Sequence, residues 1–204
     1  MAVLLEHLVW IRSMVYKIKN MAEKFKYVMN ALHYCIYKEE VWSNKKIGTI
    51  VSHLMFFVYK YCFTKRMRLR FYQRHLQSQK EIDEYMYGKK YGQSIGMTHH
   101  IFGTFYSCYS ACFSWIFLGI ANRKCRELES VVALLIITIP IAIGYIPIYK
   151  TVFSNDIYLK YYKQFEKKDN YWHKKWKWIT AVFCIGGILI TVIGFCCMAI
   201  ISSI

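Results

Sequence analysis

The densest group of residues able to do chemistry lies between positions 65 and 75, where five cationic side chains alternate with apolar and aromatic ones. Arginine and lysine hold phosphates, and the rings of Phe71 and Tyr72 can stack on bases, as on RNA-binding surfaces. The same composition binds anionic lipid headgroups beside a membrane. Both interpretations stay open for the cations of this group, which include Lys65, Arg66, Arg68 and Arg74.

Within this group, Arg70 and His75 resemble the R-x(4 to 6)-H motif of HEPN ribonucleases, in which the arginine and the histidine act on RNA. The resemblance makes these two the candidate catalytic residues. Position 71 is Phe, where that family often has a polar residue. On a straight helix, an offset of five residues also separates the two positions by about 140°.

Other titratable residues do not have the spacing of a metal or cofactor site. His99 and His100 could sense pH or bind a metal, but no third and fourth ligands are evident, and we interpret them as polar residues at a membrane interface. The eight cysteines include no C-x-x-C pair. We therefore expect no metal and no cofactor, and the sequence favours a role other than that of an enzyme.

The composition separates into a basic and an apolar part. The 204 residues carry 28 Lys+Arg against 12 Asp+Glu, for a net charge of +16, although 56% of them are hydrophobic. Residues 91–122, 130–149 and 178–204 contain no Asp, Glu, Lys or Arg. Runs of about 20 such residues are long enough to cross a bilayer. This pattern excludes a single soluble domain, a disordered chain and a disulfide scaffold, and the absence of acids in the runs argues against a proton relay.

These runs predict an all-α, multi-spanning membrane protein with a basic N-terminal helical region. The excess of Lys and Arg in residues 1–97 and 150–177 places both on the cytoplasmic side of a bacterial inner membrane. An additional span at 47–63 is an open alternative, because its charge-free part is short. The predicted division is a cytoplasmic region at 1–97 and a transmembrane domain at 98–204, with spans at about 99–120, 130–149 and 178–203 and a basic segment at 150–177.

The first forty residues predict a long amphipathic helix. Apolar residues follow a 4-3 spacing that favours packing in a bundle or a homo-oligomer, with a helix on the membrane surface as the alternative. We expect an interruption at Ser43 and Asn44, a second helix from about Ile47 to Tyr87, and a glycine-containing linker from Gly88 to Gly96. The spaced residues are Leu4, Leu8, Ile11, Val15, Ile18, Ala22, Phe25, Met29, Leu32 and Ile36.

Two of the predicted spans carry stripes of small residues. Such stripes let helices approach closely and hydrogen-bond to one another. The alternative is that the serine stripe of the first span lines a water-filled path in an oligomer. The stripes are Gly103, Ser107, Ser110 and Ser114 in the first span, and Gly187, Thr191 and Gly194 in the last.

In architecture, the chain resembles the small transmembrane accessory proteins of type VI-B CRISPR loci. The resemblance rests on the basic helical region, the Arg70 and His75 element and the few hydrophobic spans. It implies a defence effector that acts at the bilayer, with an RNA-guided nuclease or an RNA signal as partner. We expect an oligomer that permeabilises or depolarises the inner membrane. The alternatives are a membrane-tethered HEPN-like ribonuclease and a non-conducting adaptor that recruits a cytoplasmic partner.

Overall fold

The computed structural model describes residues 2–125 and 129–203, with side chains at all of these except 2–11, 62, 66, 69, 71 and 75–80. Within this part of the chain every regular element is helical and no β-strand occurs, which confirms the all-α prediction. The helices are α1 (Ala2–Cys62), α2 (Lys65–Tyr87), α3 (Gln93–Lys124), α4 (Ser130–Ile148), a π-helix (Tyr149–Phe153), a 3-10 turn (Ser154–Asp156), α5 (Ile157–Phe165) and α6 (Asn170–Ser203).

Three of the described helices are long and apolar enough to cross a membrane. They are α3, the continuous helical stretch Ser130–Phe165 that begins with α4, and α6. We call them the candidate spans. Their number agrees with the three spans predicted from the charge-free runs, and the described part of α1 does not meet the same criteria.

The candidate spans pack through small residues. Helix α6 runs beside α3 in the same direction, because Gly187 lies against Phe105 and Gly194 against Cys112. Helix α4 runs the opposite way, with the Ser114 hydroxyl donating a hydrogen bond of 2.9 Å to the carbonyl oxygen of Ile137. The start of α3, the end of α4 and the start of α6 therefore meet at one end of the bundle, which we call the basic end.

Helix α1 crosses the basic end and is buried there only in its middle. All eight residues from Asn30 to Tyr37 are buried, so this stretch is enclosed on every side and not along a single apolar seam. The surrounding groups come from α3, the π-helix, α5 and α6. Residues 27–44, which make these contacts, are the docked segment. An ion pair between Glu39 and Lys177, with 2.8 Å between Oε1 and Nζ, lies at its edge.

The basic segment predicted at 150–177 folds against the docked segment. After the π-helix, Asn155 and Asp156 adopt left-handed φ angles of 54° and 52°, which short polar side chains tolerate better than bulky ones. This turn places α5 beneath α1, where Tyr162 and Phe165 are fully buried. The first turns of α6 also pack against the docked segment. There the indole N–H of Trp172 donates a hydrogen bond of 3.0 Å to the Tyr27 hydroxyl.

The predicted interruption at Ser43 and Asn44 is wrong, because α1 continues as one helix to Cys62. The Asn44 amide donates to Glu40 one turn earlier and to Ser94 on α3, so it does not compete for the backbone of its own helix. The chain breaks instead at Thr64, which has an extended conformation. The predicted glycine linker is also shorter than expected, since Gly96 already lies within α3.

Candidate functional site

An open groove of about 440 Å³ lies between α3 and α4 at the basic end. Its polarity changes along its length, from two imidazoles at the basic end through hydroxyl groups to apolar side chains near the middle of the candidate spans. His100 and Thr104 are exposed at its mouth. The lining residues are His99, His100, Gly103, Thr104, Ser107, Cys108, Ala111, Ile141 and Tyr145.

Several polar groups in this groove have no hydrogen-bond partner among the described residues. They are the His100 ring, the Ser107 hydroxyl and the Tyr145 hydroxyl. The Thr104 hydroxyl donates to the carbonyl oxygen of His100 on its own helix, at 2.8 Å, which leaves the lone pairs of its oxygen to accept. Because these polar groups lie in an open groove on an otherwise apolar bundle, they mark a place for water or another polar partner.

Behind the groove, a hydrogen-bonded chain connects three helices. Nε2 of His33 on α1 lies 2.8 Å from Nδ1 of His99 on α3, and Nδ1 of His33 lies 2.9 Å from the Tyr162 hydroxyl on α5. His99 also lines the groove. The chain Tyr162–His33–His99 therefore runs from the interior beneath α1 to the groove wall.

Aromatic rings surround the His33 end of this chain, where His33 and Tyr162 are fully buried. The His33 and His99 rings stack with centroids 4.9 Å apart, and Phe102, Phe153 and Tyr158 contact the His33 ring from three sides. Burial lowers the pKa of His33 well below its usual range, and the adjacent His99 lowers it further. His33 is therefore neutral at physiological pH, with one ring nitrogen as donor and the other as acceptor.

The small residues of the first predicted stripe are divided between two environments. Ser110 packs against Gly144, and Ser114 donates a hydrogen bond to the α4 backbone. Helix α4 therefore covers both serine side chains. Gly103 is buried against the Tyr145 ring. Of the stripe, Ser107 faces the open groove beside Thr104.

The second stripe lies between α6 and α3. The Thr191 hydroxyl donates to the carbonyl oxygen of Cys108 at 3.0 Å, which joins the two helices. A Cβ atom at Gly187 would lie 3.0 Å from the carbonyl oxygen of Phe105, and one at Gly194 would lie 2.8 Å from Cα of Cys112. These glycines sit where the two backbones come closest.

The cationic group lies on α2, away from the groove. Lys65, Arg68, Arg70 and Arg74 are exposed, and Nε of Arg68 donates to the carbonyl oxygen of Phe63 at the preceding turn. The side chains of Arg66 and His75 lie outside the described residues. Arg70 and His75 belong to the same helix, and their backbone positions are about 140° apart around its axis.

Sequence reasoning did not single out His33 or Tyr162, and it treated His99 as an interfacial residue. The pattern does contain one usable signal, a histidine at position 33 beside the apolar heptad residue Leu32. Nothing in the sequence indicates that its partner lies 129 residues away.

Across the described residues, no group of three or more His, Cys, Asp or Glu side chains is arranged to hold a metal ion. The histidine chain also has no serine or cysteine nucleophile among its hydrogen-bonded members. Its chemistry is that of a hydrogen-bond relay and a structural link. In comparisons with family models, curated proteins and solved structures, nothing matches this chain.

Proposed function

We propose that the chain is a bacterial defence effector that oligomerises in the inner membrane and permeabilises or depolarises it. The basic end would face the cytoplasm, in keeping with the excess of Lys and Arg near it. The observation that carries the proposal is the set of unpartnered polar groups in the α3 and α4 groove.

In a monomer surrounded by lipid, the groove would expose the Ser107 and Tyr145 hydroxyls to acyl chains, with the His100 ring at its interfacial mouth. Unsatisfied polar groups are costly in hydrocarbon, and intramembrane polar residues usually face a bundle interior or a water-filled cavity. A second copy that covers the groove would turn it into an enclosed, hydrated path. The groove thus supports an oligomer in which this face of α3 lines the path.

The N-terminal arm of α1, residues 12–24, supports oligomerisation independently. Val15 and Ile18 are 58% and 57% exposed, and they continue the heptad spacing that runs into the docked segment. Lys17 and Lys19 lie off this apolar seam. A one-sided seam of this kind is suited to a partner helix of the same sequence.

The groove reaches from His99 to Ala111, about 18 Å along α3, and so covers the basic-side half of a hydrocarbon core of about 30 Å. Beyond it, the Ser114 hydroxyl is held by the α4 backbone. The rest of a path would therefore be lined mainly by apolar side chains. Apolar constrictions close by expelling water, which supports a pore that is shut until the helices move.

The experiment measures membrane potential with a voltage-sensitive dye in bacteria that express the full chain, and ion leakage from vesicles that contain the purified protein. Thr104→Leu tests the groove. Thr138→Leu is the matched control, because both threonines are exposed and donate to the carbonyl oxygen four residues earlier on their own helix. We expect the wild type and Thr138→Leu to depolarise cells and Thr104→Leu to do so more slowly.

Two results would overturn the proposal. One is equal leakage from Thr104→Leu and Thr138→Leu at equal membrane levels. The other is well-inserted wild-type protein that changes the potential neither in cells nor in vesicles, including when a candidate trigger is co-expressed. The second result would favour the non-conducting adaptor.

A further inference from the structure

The part of α1 beyond the docked segment, residues 45–62, exposes a broad apolar face. We call it the distal arm. Nine of its large apolar side chains are between 45% and 68% exposed: Ile47, Ile50, Val51, Leu54, Met55, Phe56, Phe57, Val58 and Tyr61. Successive residues on an α-helix are 100° apart, so eight of these nine lie within about 160° of the helix circumference and Phe56 lies on the opposite side. A broad apolar face opposite Lys45, Lys46 and Lys60 is the composition of a helix that lies in a membrane interface.

The distal arm begins at the level where the candidate spans meet the headgroups. Lys177 lies in the run of tryptophans and lysines that opens the apolar part of α6, which is the usual composition of a membrane interface. Its Nζ lies 5.9 Å from the ring centroid of Trp42 on α1, and Nζ of Lys46 lies 3.9 Å from the same ring. The distal arm therefore leaves the core beside this interface.

Helix α2 returns the chain to the same end of the bundle. The Tyr37 hydroxyl donates to the carbonyl oxygen of Tyr87 at 3.0 Å, and Nζ of Lys45 lies 5.2 Å from the Tyr87 ring centroid. If the distal arm crossed the bilayer, the strongly charged α2 would have to cross back. The charge-free stretch 47–59 is also about 20 Å long, against about 30 Å for the hydrocarbon core.

We propose that the distal arm lies immersed in the basic-side leaflet without crossing it, and that α2 rests its cations on anionic phospholipid headgroups. Lys65, Arg68, Arg70 and Arg74 are exposed on α2 for this contact. A helix of this kind binds through its apolar surface and through attraction to anionic lipid. This assignment needs membrane insertion of the chain but no conduction, so it goes beyond the proposed function.

The test replaces Phe57 by the photoreactive amino acid benzoylphenylalanine in the full chain and irradiates it in bacterial membranes. We expect a phospholipid adduct, identified by its mass. Phe113, which is 61% exposed on the candidate span α3, is the positive control for lipid contact. A protein adduct at position 57, or no lipid adduct at 57 when position 113 gives one, overturns the proposal.

A second photoreactive position separates this proposal from the proposed function. Tyr16, which is 71% exposed on the N-terminal arm, should cross-link to a second copy if the chain oligomerises through that arm. A lipid adduct at 57 without a dimer at 16 would leave the distal arm in lipid and remove the support for oligomerisation through α1. A cross-linked dimer from position 16 together with protein adducts at position 57 would support oligomerisation through α1 and overturn the placement of the distal arm in lipid.

Two further measurements fix the depth of the distal arm and the role of the α2 cations. A short epitope inserted between Phe63 and Thr64 should be reached by antibody from the same side as an N-terminal epitope, whereas access from the opposite side would make the arm a fourth span. In phosphatidylcholine vesicles, adding phosphatidylglycerol should raise the lipid adduct at 57 severalfold, and Arg68→Gln with Arg70→Gln should cancel that increase. No increase would overturn the contact of the α2 cations with anionic headgroups, and an adduct lost on addition of RNA would assign the cations to RNA.

Discussion

His33 and His99 share one hydrogen bond, with 2.8 Å between Nε2 of His33 and Nδ1 of His99. This contact has room for one proton, because a second would set two N–H groups against each other. The Tyr162 hydroxyl lies 2.9 Å from Nδ1 of His33. The docked segment of α1 is therefore joined to α3 and α5 through one neutral imidazole.

We predict that acid weakens the docking of α1. Because the folded protein holds the pKa of His33 below its ordinary value near 6.5, the unfolded or undocked state binds more protons as the pH falls. Stability is full above about pH 6.5 and declines below it, by up to about 1.4 kcal/mol per pH unit for this group. Hydrogen exchange in residues 27–44, compared at pH 7.5 and 5.5, measures the effect.

We predict that His33→Phe removes most of this pH dependence, while His53→Phe leaves it unchanged. His53 is the matched control, since it lies on the same helix but is exposed in the distal arm. Its Nδ1 contacts only the carbonyl oxygen of Thr49 one turn earlier. An equal response to acid in the wild type and His33→Phe would contradict the role assigned to His33.

We predict that Cys35 is slow to react with maleimide while α1 is docked. Burial raises the pKa of its thiol to about 11, although a hydrogen bond with Thr180 opposes this rise. At pH 7.5, a rise of about two pKa units lowers the thiolate fraction roughly 100-fold relative to an ordinary cysteine. Peptide mass spectrometry after labelling compares Cys35 with Cys125, which is exposed at the end of α3. Equal labelling of the two would contradict a docked α1.

We predict that Gly194→Ala destabilises the bundle by about 1–3 kcal/mol. The added Cβ would lie 2.8 Å from Cα of Cys112, and backbone atoms cannot yield without moving α6 away from α3. Gly96→Ala is the control, because nothing lies within 4 Å of its added Cβ. Within a helix this second change should stabilise by about 0.5–1 kcal/mol. Thermal unfolding in the same detergent compares both with the wild type, and equal midpoints would contradict the close packing.

We predict that Arg70→Ala with His75→Ala leaves depolarisation and membrane levels unchanged. Arg70 is exposed on α2, and its helix position lies about 140° from that of His75, so the two positions do not share one helix face. The voltage-sensitive dye reports the first quantity, and an immunoblot of membranes reports the second. Loss of the phenotype at normal membrane levels would instead favour the HEPN-like ribonuclease.

The number of candidate spans and the all-α class could be predicted, because a bilayer demands apolar length that a sequence displays directly. The ends of these helices could not. Helix α6 begins at Asn170, eight residues before the span predicted at 178–203, and Trp172 and Trp176 in this extension pack against Tyr27 of α1. The lysines of this stretch are evident from the sequence, whereas the contacts of its tryptophans with α1 exist only in the folded protein.

The candidate site was less accessible to sequence reasoning. The stripe from Gly103 to Ser114 was visible as a pattern, but its division between α4 packing and an open groove depends on the rotation of α3. The histidine chain depends on residues that meet only after the chain folds back twice. Composition near His33 indicated burial and could not name its partners.

The enclosure of the docked segment also fixes an order of events during synthesis. Tyr162 follows His33 by 129 residues, and Trp172 follows Tyr27 by 145. At about 5–20 residues per second, the ribosome delivers Tyr162 roughly 6 to 26 seconds after His33 has been made. Throughout that interval, α1 has been made but α5 and the start of α6, which cover its docked segment, have not. Helix α1 therefore completes its docking only after α5 and α6 have been made.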